Sequence, residues 1–201
     1  MRKSLYLRNF RSQSSQQGYA LFIVLMIMIV IALLVVTAVQ SYNTEQRIST
    51  NEADRKLTLS LAEAALQKGE DKILEFDGKK VVFKAKCIGT IGGAETKGLC
   101  ATPDAVVPDE IRNAIDVEKI KDNAWKVNAW ERGEGKKLYI DENGESVIDI
   151  KTENVSKPPV YIIEYISTDA SQGSIIYRVT AKAWGKNNNT VVMLQSYVSN
   201  E

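Results

Sequence analysis

The residues that could do chemistry are few, and their pattern excludes most catalytic classes. The 201-residue chain contains no histidine, which excludes a Ser-His-Asp or Cys-His nucleophile and an imidazole metal site. Gly89, Gly92 and Gly93 lack the Lys-Ser/Thr pair that a phosphate-binding loop requires. The 25 carboxylates are interpreted as solvated surface groups. We therefore predict a non-enzymatic protein with no catalytic residue, no metal and no cofactor.

One acidic stretch, Asp141-Glu142-Asn143-Gly144, is similar to part of a calcium-binding loop. Its glycine stands at the fourth place rather than the sixth, and no glutamate stands at the twelfth. Asn-Gly between two alternating runs is instead a strong signal for a β-hairpin. We predict that Asn143 and Gly144 form the turn of a hairpin within KKLYIDENGESVIDIK.

A long uncharged run follows a basic leader. No Asp, Glu, Lys or Arg occurs from Ser12 to Thr44, and residues 19–39 are 21 consecutive, almost wholly apolar residues. At 1.5 Å per residue they span about 32 Å of helix, close to the hydrocarbon thickness of a bilayer. The leader has four basic residues and no acid, so the positive-inside rule keeps it in the cytoplasm and exports everything after Gln40.

A conventional secretion signal does not fit this run. Such a signal has an apolar region of about 7–15 residues and a small-x-small cleavage site, whereas this run ends in Val39-Gln40-Ser41-Tyr42. We expect residues 19–39 to span the membrane and to be retained. Because four of the 26 basic residues lie in the leader, the exported part has more acidic than basic residues. That balance argues against a nucleic-acid partner.

The two cysteines, Cys87 and Cys100, lie 13 residues apart around a glycine-rich segment. In an oxidising compartment we predict a disulfide between them, with two free thiols as the alternative. Two cysteines without a histidine cannot complete a tetrahedral metal site. A loop of this size gains about 3 kcal/mol in the chain-entropy description of disulfides.

The helix is predicted to continue beyond the membrane, from Tyr19 to about Phe76, because residues 45–74 are rich in helix formers and no proline precedes Pro103. One apolar stripe comprises Leu59, Ala62, Leu66, Gly69 and Ile73, and a nearly opposite one comprises Leu57, Leu61 and Ala64. Two stripes indicate either a second partner surface or a helix that its own fold buries on both sides.

The part of the chain that follows the long helix is predicted to form mainly β-strands. VYIIEYIST, SIIYRVTAKAW and NTVVMLQSYV predict a three-stranded antiparallel meander with turns at residues 170–173 and 185–189. Pro108-Asp109-Glu110 predicts a short helix through about Asn123. The three tryptophans are interpreted as core residues. The fold class is therefore α+β, a roll in which the long helix packs on an antiparallel sheet.

At this point the residues resemble a known family. The junction of the basic leader with Gly18 and the aromatic Tyr19, followed by the long apolar helix, resembles the class III signal of type IV pilins. The residues that carry the likeness to the PilX N-terminal family of minor pilins are Gln17 to Leu21, Glu45-Gln46-Arg47, Asn51, Arg55 and residues 62–66. Tyr177 to Ala181, Trp184-Gly185 and residues 190–196 are similar to the ending of that family.

The resemblance implies how the protein is processed and assembled. A prepilin peptidase removes residues 1–18 by cutting after Gly18, and the new N-terminus at Tyr19 is methylated. Residues 19–76 form the long helix and residues 77–201 a β-rich periplasmic domain. The protein waits in the bacterial inner membrane until an assembly platform moves it into the pilus. Its implied partners are the major pilin, other minor pilins and a tip adhesin.

One position departs from the major pilins, which have glutamate at the fifth mature residue. Counted from Tyr19, the fifth residue here is Ile23. A subunit at the tip has no neighbour ahead whose amine such a glutamate would compensate, so Ile23 favours a tip position. The alternative is that Ile23 only marks a subunit tolerated at low copy number.

We therefore expect a minor pilin that primes type IV pilus assembly within a tip complex. One alternative is the tip pseudopilin of a type II secretion system, a family that usually carries an extra helical domain. Residues 77–157 are too short and too strand-rich for that domain. A second alternative is a single-pass periplasmic binding protein that keeps its leader.

Overall fold

The structure, a computed structural model, describes residues 17–103, 105–121, 127–133, 138–147, 155–169 and 174–200. The chain divides into two compact units, residues 1–50 and residues 51–201. Helix α1, Gln17–Leu74, accounts for all of the described part of the first unit and opens the second. The predicted helix from Tyr19 to about Phe76 is thus confirmed.

Two β-sheets complete the second unit. The strands of the first sheet are β1 Val81–Phe83, β2 Ile88–Ile91, β3 Ala94–Lys97 and β5 Ile115–Val117. They lie in the order β3-β2-β1-β5, in which β1 and β5 are parallel and the other pairs are antiparallel. The strands of the second sheet are β4 Leu99–Cys100, β6 Glu145–Ser146, β7 Val160–Thr168, β8 Ile175–Trp184 and β9 Val191–Asn200. They lie in the order β4-β7-β8-β9, and β6 also pairs with β7.

The predicted antiparallel meander is confirmed as β7, β8 and β9. Strand β8 pairs with β9 along its whole length and with β7 from Ile175 to Lys182, and a register shift interrupts the β7–β8 pairing between Tyr165 and Ser167. The predicted turn at residues 185–189 joins β8 to β9. The other predicted turn, at residues 170–173, lies outside the described residues.

The second sheet is buried on both faces over β7 and much of β8. One face carries Tyr161, Ile163, Tyr177 and Val179, which pack against Ala65 and Ile73 of α1. The other face carries Ile162 and Trp184, in a cluster with Cys87, Cys100 and Ile140. Trp184 is buried as predicted and Trp130 is partly buried, whereas Trp125 lies outside the described residues.

The buried face of α1 differs by about one residue from the predicted stripe. Ala62, Gly69 and Ile73 are buried, as predicted, but Leu59 is exposed. Leu61, assigned to the opposite stripe, is buried beside Ala62 and Ala183. Ala65, which belongs to neither predicted stripe, is also buried in the cluster with the sheet, and its small side chain allows a close approach of helix and strands.

The predicted hairpin turn at Asn143-Gly144 is wrong. Helix α2, Tyr139–Asn143, occupies the first arm of that hairpin. Gly144 has a φ of −64°, whereas a type I′ turn needs positive φ at both central residues. The helical turn buries Ile140 completely, and Asp141 pairs with Lys182. Burial and an ion pair therefore outweigh the local turn preference, and the Asp141 carboxylate is engaged by a lysine.

The predicted helix from Pro108 to Asn123 is also wrong. Only a single 3-10 turn forms at Asp109–Ile111, and the chain then enters β5. Ile115 is buried there and pairs with Val81 in the parallel β1–β5 ladder. Tertiary pairing of this short apolar segment overrides the helix-start signal. Residues 122 and 123 lie outside the described residues.

The glycine-rich segment between the cysteines is itself a hairpin. Strands β2 and β3 pair around Gly92 and Gly93, whose φ angles are 58° and 90°. Two residues with positive φ match the type I′ turn, for which Gly-Gly is a favoured sequence. A disulfide between Cys87 and Cys100 closes the base of this hairpin, so the predicted pairing of the cysteines is present.

Gly69 sets the distance between α1 and the second sheet. A Cβ atom at this position would lie 2.5 Å from Val179 Cγ1 and 3.0 Å from Tyr161 Cδ2. We expect Gly69→Val to lower the free energy of unfolding by about 1–3 kcal/mol, the cost of overpacking a filled core. Thermal unfolding of the full chain in detergent measures it. Gln67→Val, on the exposed side of the same helix, is the control, and an equal loss in both variants would contradict the close packing.

Candidate assembly surfaces

The apolar segment of α1 is a surface without a partner in the described structure. Every residue from 19 to 39 is exposed. By length and composition, α1 is the one helix among the described residues that could cross a membrane. Its backbone groups bond within the helix, as a lipid environment requires. So large an apolar surface needs lipid or other apolar helices around it.

The one hydroxyl within this segment after Tyr19 is already satisfied. Thr37 Oγ1 donates a hydrogen bond of 2.9 Å to the carbonyl of Leu34 in the preceding turn. No other side chain between residues 20 and 39 has a polar N or O atom. The segment can therefore move between lipid and a helical bundle without leaving a side-chain polar group unpaired.

The structure places the predicted site residues in the first turns of α1. Gly18 lies within the helix, and Tyr19 follows with 72% of its surface exposed. Ile23, one turn further on, is 40% exposed. Tyr19 and Ile23 are thus accessible on the surface of the helix.

A carboxylate of α1 is bound to the β8–β9 turn. Asp54 accepts hydrogen bonds from the backbone N–H of Lys186 at 2.7 Å and of Asn187 at 3.4 Å. A Cβ atom on Gly185 would lie 2.5 Å from Asp54 Oδ1, so a glycine is needed beside the carboxylate. Hydrogen bonds from the Thr190 hydroxyl and the Lys186 amide lower the pKa of Asp54. The contact fixes the helix to the start of β9.

A buried ion pair holds residues 127–133 on the other face of the sheet. Glu164 on β7 is fully buried and lies 2.8 Å from Arg178 Nη2 on β8. Its other oxygen accepts a hydrogen bond of 2.9 Å from the Ala129 amide, and Arg178 donates one of 2.9 Å to Asn128 Oδ1. Burial raises the pKa of the Glu164 carboxyl, while the charge of Arg178 lowers it. Every member has a partner, so the pair positions a loop rather than doing chemistry.

Sequence reasoning missed this pair, although a signal was present. Glu164 is the one charged residue in VYIIEYIST, and a carboxylate in an apolar strand needs a buried partner. The partner stands directly opposite on the neighbouring strand, since Glu164 is in register with Arg178.

The groove beside the disulfide offers charge but no catalytic arrangement. It measures about 860 Å³ and lies where β1 and the parallel β5 end. Its carboxylate, Glu118, accepts a hydrogen bond of 3.0 Å from the Ala85 amide. The charged side chains that line the rest of it are Lys84, Lys86, Lys119 and Lys121. Within the described ranges, no group of three or more His, Cys, Asp or Glu side chains could hold a metal ion.

Comparison with known proteins places both ends of the chain in one family. The family model described as PilX N-terminal matches residues 17–67, which lie in α1. The model described as type IV pilus assembly protein PilX C-term matches residues 93–200, from the β2–β3 turn to the end of β9. A search of curated proteins and a search of solved structures found no match. Asp54 lies in the first matched region and the turn that it binds lies in the second.

The Asp54 contact makes a prediction about pH. Because its pKa is lowered in the folded state, the contact stabilises the protein above the ordinary aspartate pKa of about 3.9. That stabilisation is lost as the pH falls through the lowered value. We expect Asp54→Ala to reduce the Tm at pH 7, and the difference from the unmodified chain to shrink below about pH 4.

Thermal unfolding of the full chain in detergent from pH 2.5 to 7 measures this dependence. The control is Asp71→Ala, which removes an exposed carboxylate from the same helix. Equal effects of the two substitutions at every pH would contradict the assigned role of Asp54.

Proposed function

Since the chain belongs to the PilX family of type IV pilus assembly proteins, we propose that this membrane-anchored minor pilin primes pilus assembly within a tip complex. The observation that carries the proposal is the apolar segment of α1, which is wholly exposed and has no acidic residue. A pilus subunit needs such a segment to pack with its neighbours. The absence of an acidic residue from this segment is the basis for placing the subunit at the tip.

The first step of the proposal is processing. A prepilin peptidase cuts after Gly18, removes the basic leader of residues 1–18, and leaves Tyr19 as a methylated N-terminus. A glycine at the cut lets the backbone enter a narrow cleft, since any side chain would obstruct it. The positive charge of the leader supports a cytoplasmic N-terminus and a periplasmic domain that follows the helix of residues 19–76.

The second step is transfer from the inner membrane to the fibre. In the membrane, residues 19–39 contact lipid tails, and in the pilus they contact the equivalent segments of other subunits. Lipid tails and apolar helices are similar surroundings, so the transfer has a small net cost in free energy. The internal hydrogen bond of Thr37 supports this, because it requires no partner in either setting.

The third step concerns position in the fibre. A carboxylate without a partner costs about 2.5–3.5 kcal/mol at the centre of an apolar span. A subunit with a neighbour ahead can offset that cost by pairing with the neighbour's amine, whereas a subunit at the tip cannot. An isoleucine at position 23 therefore suits a subunit that has no neighbour ahead, while its own Tyr19 amine meets the glutamate of the subunit behind.

The proposal implies partners of defined kinds. They are the other minor pilins and the major pilin, met through α1, together with the prepilin peptidase, the assembly platform of the inner membrane and a tip adhesin. Nucleic acid is not among them. Within the family, residues 17–76 and 158–198 resemble the neisserial minor pilin PilK, and that closer kinship stays a prediction. The family match supports a pilus component over a periplasmic binding protein.

Two glutamate substitutions test the tip position. At the tip, Ile23→Glu and Ile27→Glu both introduce an unpaired carboxylate, so each should reduce the number of pili by a similar factor. In the shaft, Ile23→Glu would meet a neighbour's amine and be tolerated, while Ile27→Glu one turn later would not. Pili are counted by electron microscopy in a strain that expresses each variant at equal abundance.

Gold labelling of the unmodified protein on intact filaments completes the test. We expect label at filament ends. Label at regular intervals along the shaft, or normal piliation with Ile23→Glu alone, would contradict the tip position.

A further inference from the structure

Strand β9 forms an open sheet edge that lacks the features which usually protect such edges. In the part of the chain that the structure describes, β9 pairs with β8 over all ten residues and with no other strand. The pairing has no bulge, and VVMLQSYVSN contains no proline and no charged residue. Natural proteins protect exposed edges with charges, prolines, bulges or very short strands. β9 has none of these.

The free backbone groups of this edge can be assigned from the turn. The carbonyl of Thr190 accepts a hydrogen bond of 2.9 Å from the Gly185 amide, so residues 185 and 190 form a hydrogen-bonded pair. Such pairs alternate with non-bonded pairs along an antiparallel ladder. It follows that alternate residues of β9 direct their N–H and C=O groups away from β8. These are Val191, Met193, Gln195, Tyr197 and Ser199.

The same residues share one face of the sheet, and most of that face is accessible. Tyr197 is 64% exposed and Val191 is 43% exposed. Gln195 and Ser199 are also exposed, and Met193 is half-buried. A row of free backbone donors and acceptors beside uncharged side chains fits one kind of ligand, an extended polypeptide strand.

We propose that β9 is completed in the assembled pilus by a β-strand from another pilin-class subunit of different sequence. The inference rests on the proposed function, which supplies neighbours that each have an N-terminal apolar helix of their own. A strand added to β9 would extend the second sheet across the subunit boundary through main-chain hydrogen bonds, and the uncharged side chains would set the register.

The direction of the helix argues against a twofold pairing of this edge with β9 of a second copy of this chain. Asp54 contacts Lys186 just before β9 begins, and Gly69 lies against Val179, which pairs with Ser196 further along β9. Residues 51–74 of α1 therefore run in the same direction as β9. A twofold pairing of two β9 edges is antiparallel and would oppose the two helices. Two copies anchored by the same end in one membrane are expected to present their helices in the same direction.

Site-specific photocrosslinking in the piliated strain tests the proposal. A benzophenone amino acid replaces Ser199 at the open edge or Glu95 on β3, which is exposed at the edge of the other sheet. We expect the probe at 199 to link to a protein with an N-terminal apolar helix and a sequence different from this chain, within a strand of that protein. The probe at 95 should not give this product. A product containing two copies of this chain, a linked protein of another class, equal products from both positions, or no product at 199 would overturn the proposal.

A backbone substitution then tests the mode of binding. Met193→Pro removes an outward N–H that β8 does not use, a position where an edge strand tolerates proline. We expect the crosslink from position 199 to fall about tenfold, which corresponds to about 1.4 kcal/mol. Met193→Thr keeps the N–H and should keep the crosslink.

An undiminished crosslink in a folded Met193→Pro protein, judged by an unchanged Tm, would overturn strand pairing. If that variant unfolds, the proline is moved to 191, with Val191→Thr as the control and the same two readouts.

These readouts are independent of the tip assignment. The crosslink reports the neighbour of β9 wherever the subunit stands, while gold labelling reports its position in the filament. A crosslinked pilin-class neighbour with label along the shaft would overturn the tip proposal alone. Label at the filament end without the crosslink would overturn the strand proposal alone.

Discussion

The rest of the molecule depends on one constraint, a run of 21 almost wholly apolar residues, 19–39, that the described structure leaves entirely exposed. Water cannot be the neighbour of such a surface, because the free-energy cost grows with every exposed apolar side chain. A membrane and a bundle of like helices both satisfy it, and both accept a helix whose polar backbone groups are bonded internally. A chain that lies first in a membrane and then in a bundle of helices needs one segment that suits both surroundings. Residues 19–39 suit both because they contain no acidic side chain that would need a partner.

Within the second unit, residues 51–74 of α1 are packed against the second sheet. Small residues at Ala62, Ala65 and Gly69 bring α1 close to β7 and β8, and Asp54 fixes it to the β8–β9 turn. The opposite face of the sheet is closed by the Glu164–Arg178 pair and the clustered disulfide. The Asp54 contact fixes the position of α1 relative to the β8–β9 turn, and the Glu164–Arg178 pair fixes the position of residues 128 and 129 over β7 and β8. The same arrangement leaves β9 as an edge whose alternate backbone groups point away from the sheet.

Strong local signals made much of this fold predictable. An uninterrupted run of helix formers predicted α1, alternation with turn residues predicted the β7–β9 meander, and two cysteines in an oxidising compartment predicted the disulfide. Residues 77–157 were predicted poorly because long-range pairing decides them. Ile140 gains more from burial than Asn143-Gly144 gains from a turn, and Ile115 pairs with a strand more than 30 residues earlier. Gly92-Gly93 is a sequence signal for the β2–β3 hairpin that the prediction did not include. The roles proposed for Gly18, Tyr19 and Ile23 rest on family resemblance, since a site that would act on other proteins leaves no contact within one chain.

The central claim is that the apolar helix begins as the anchor of a precursor and continues as the helix of a processed pilus subunit. The most direct test is the intact mass of the full-length protein purified from membranes. The account predicts the mass of a chain that begins at Tyr19 and carries one added methyl group, and a Gly18→Val variant that keeps residues 1–18. A mass that includes Met1 and the leader in the unmodified protein would contradict it, because such a chain is a permanent anchor and not a pilin.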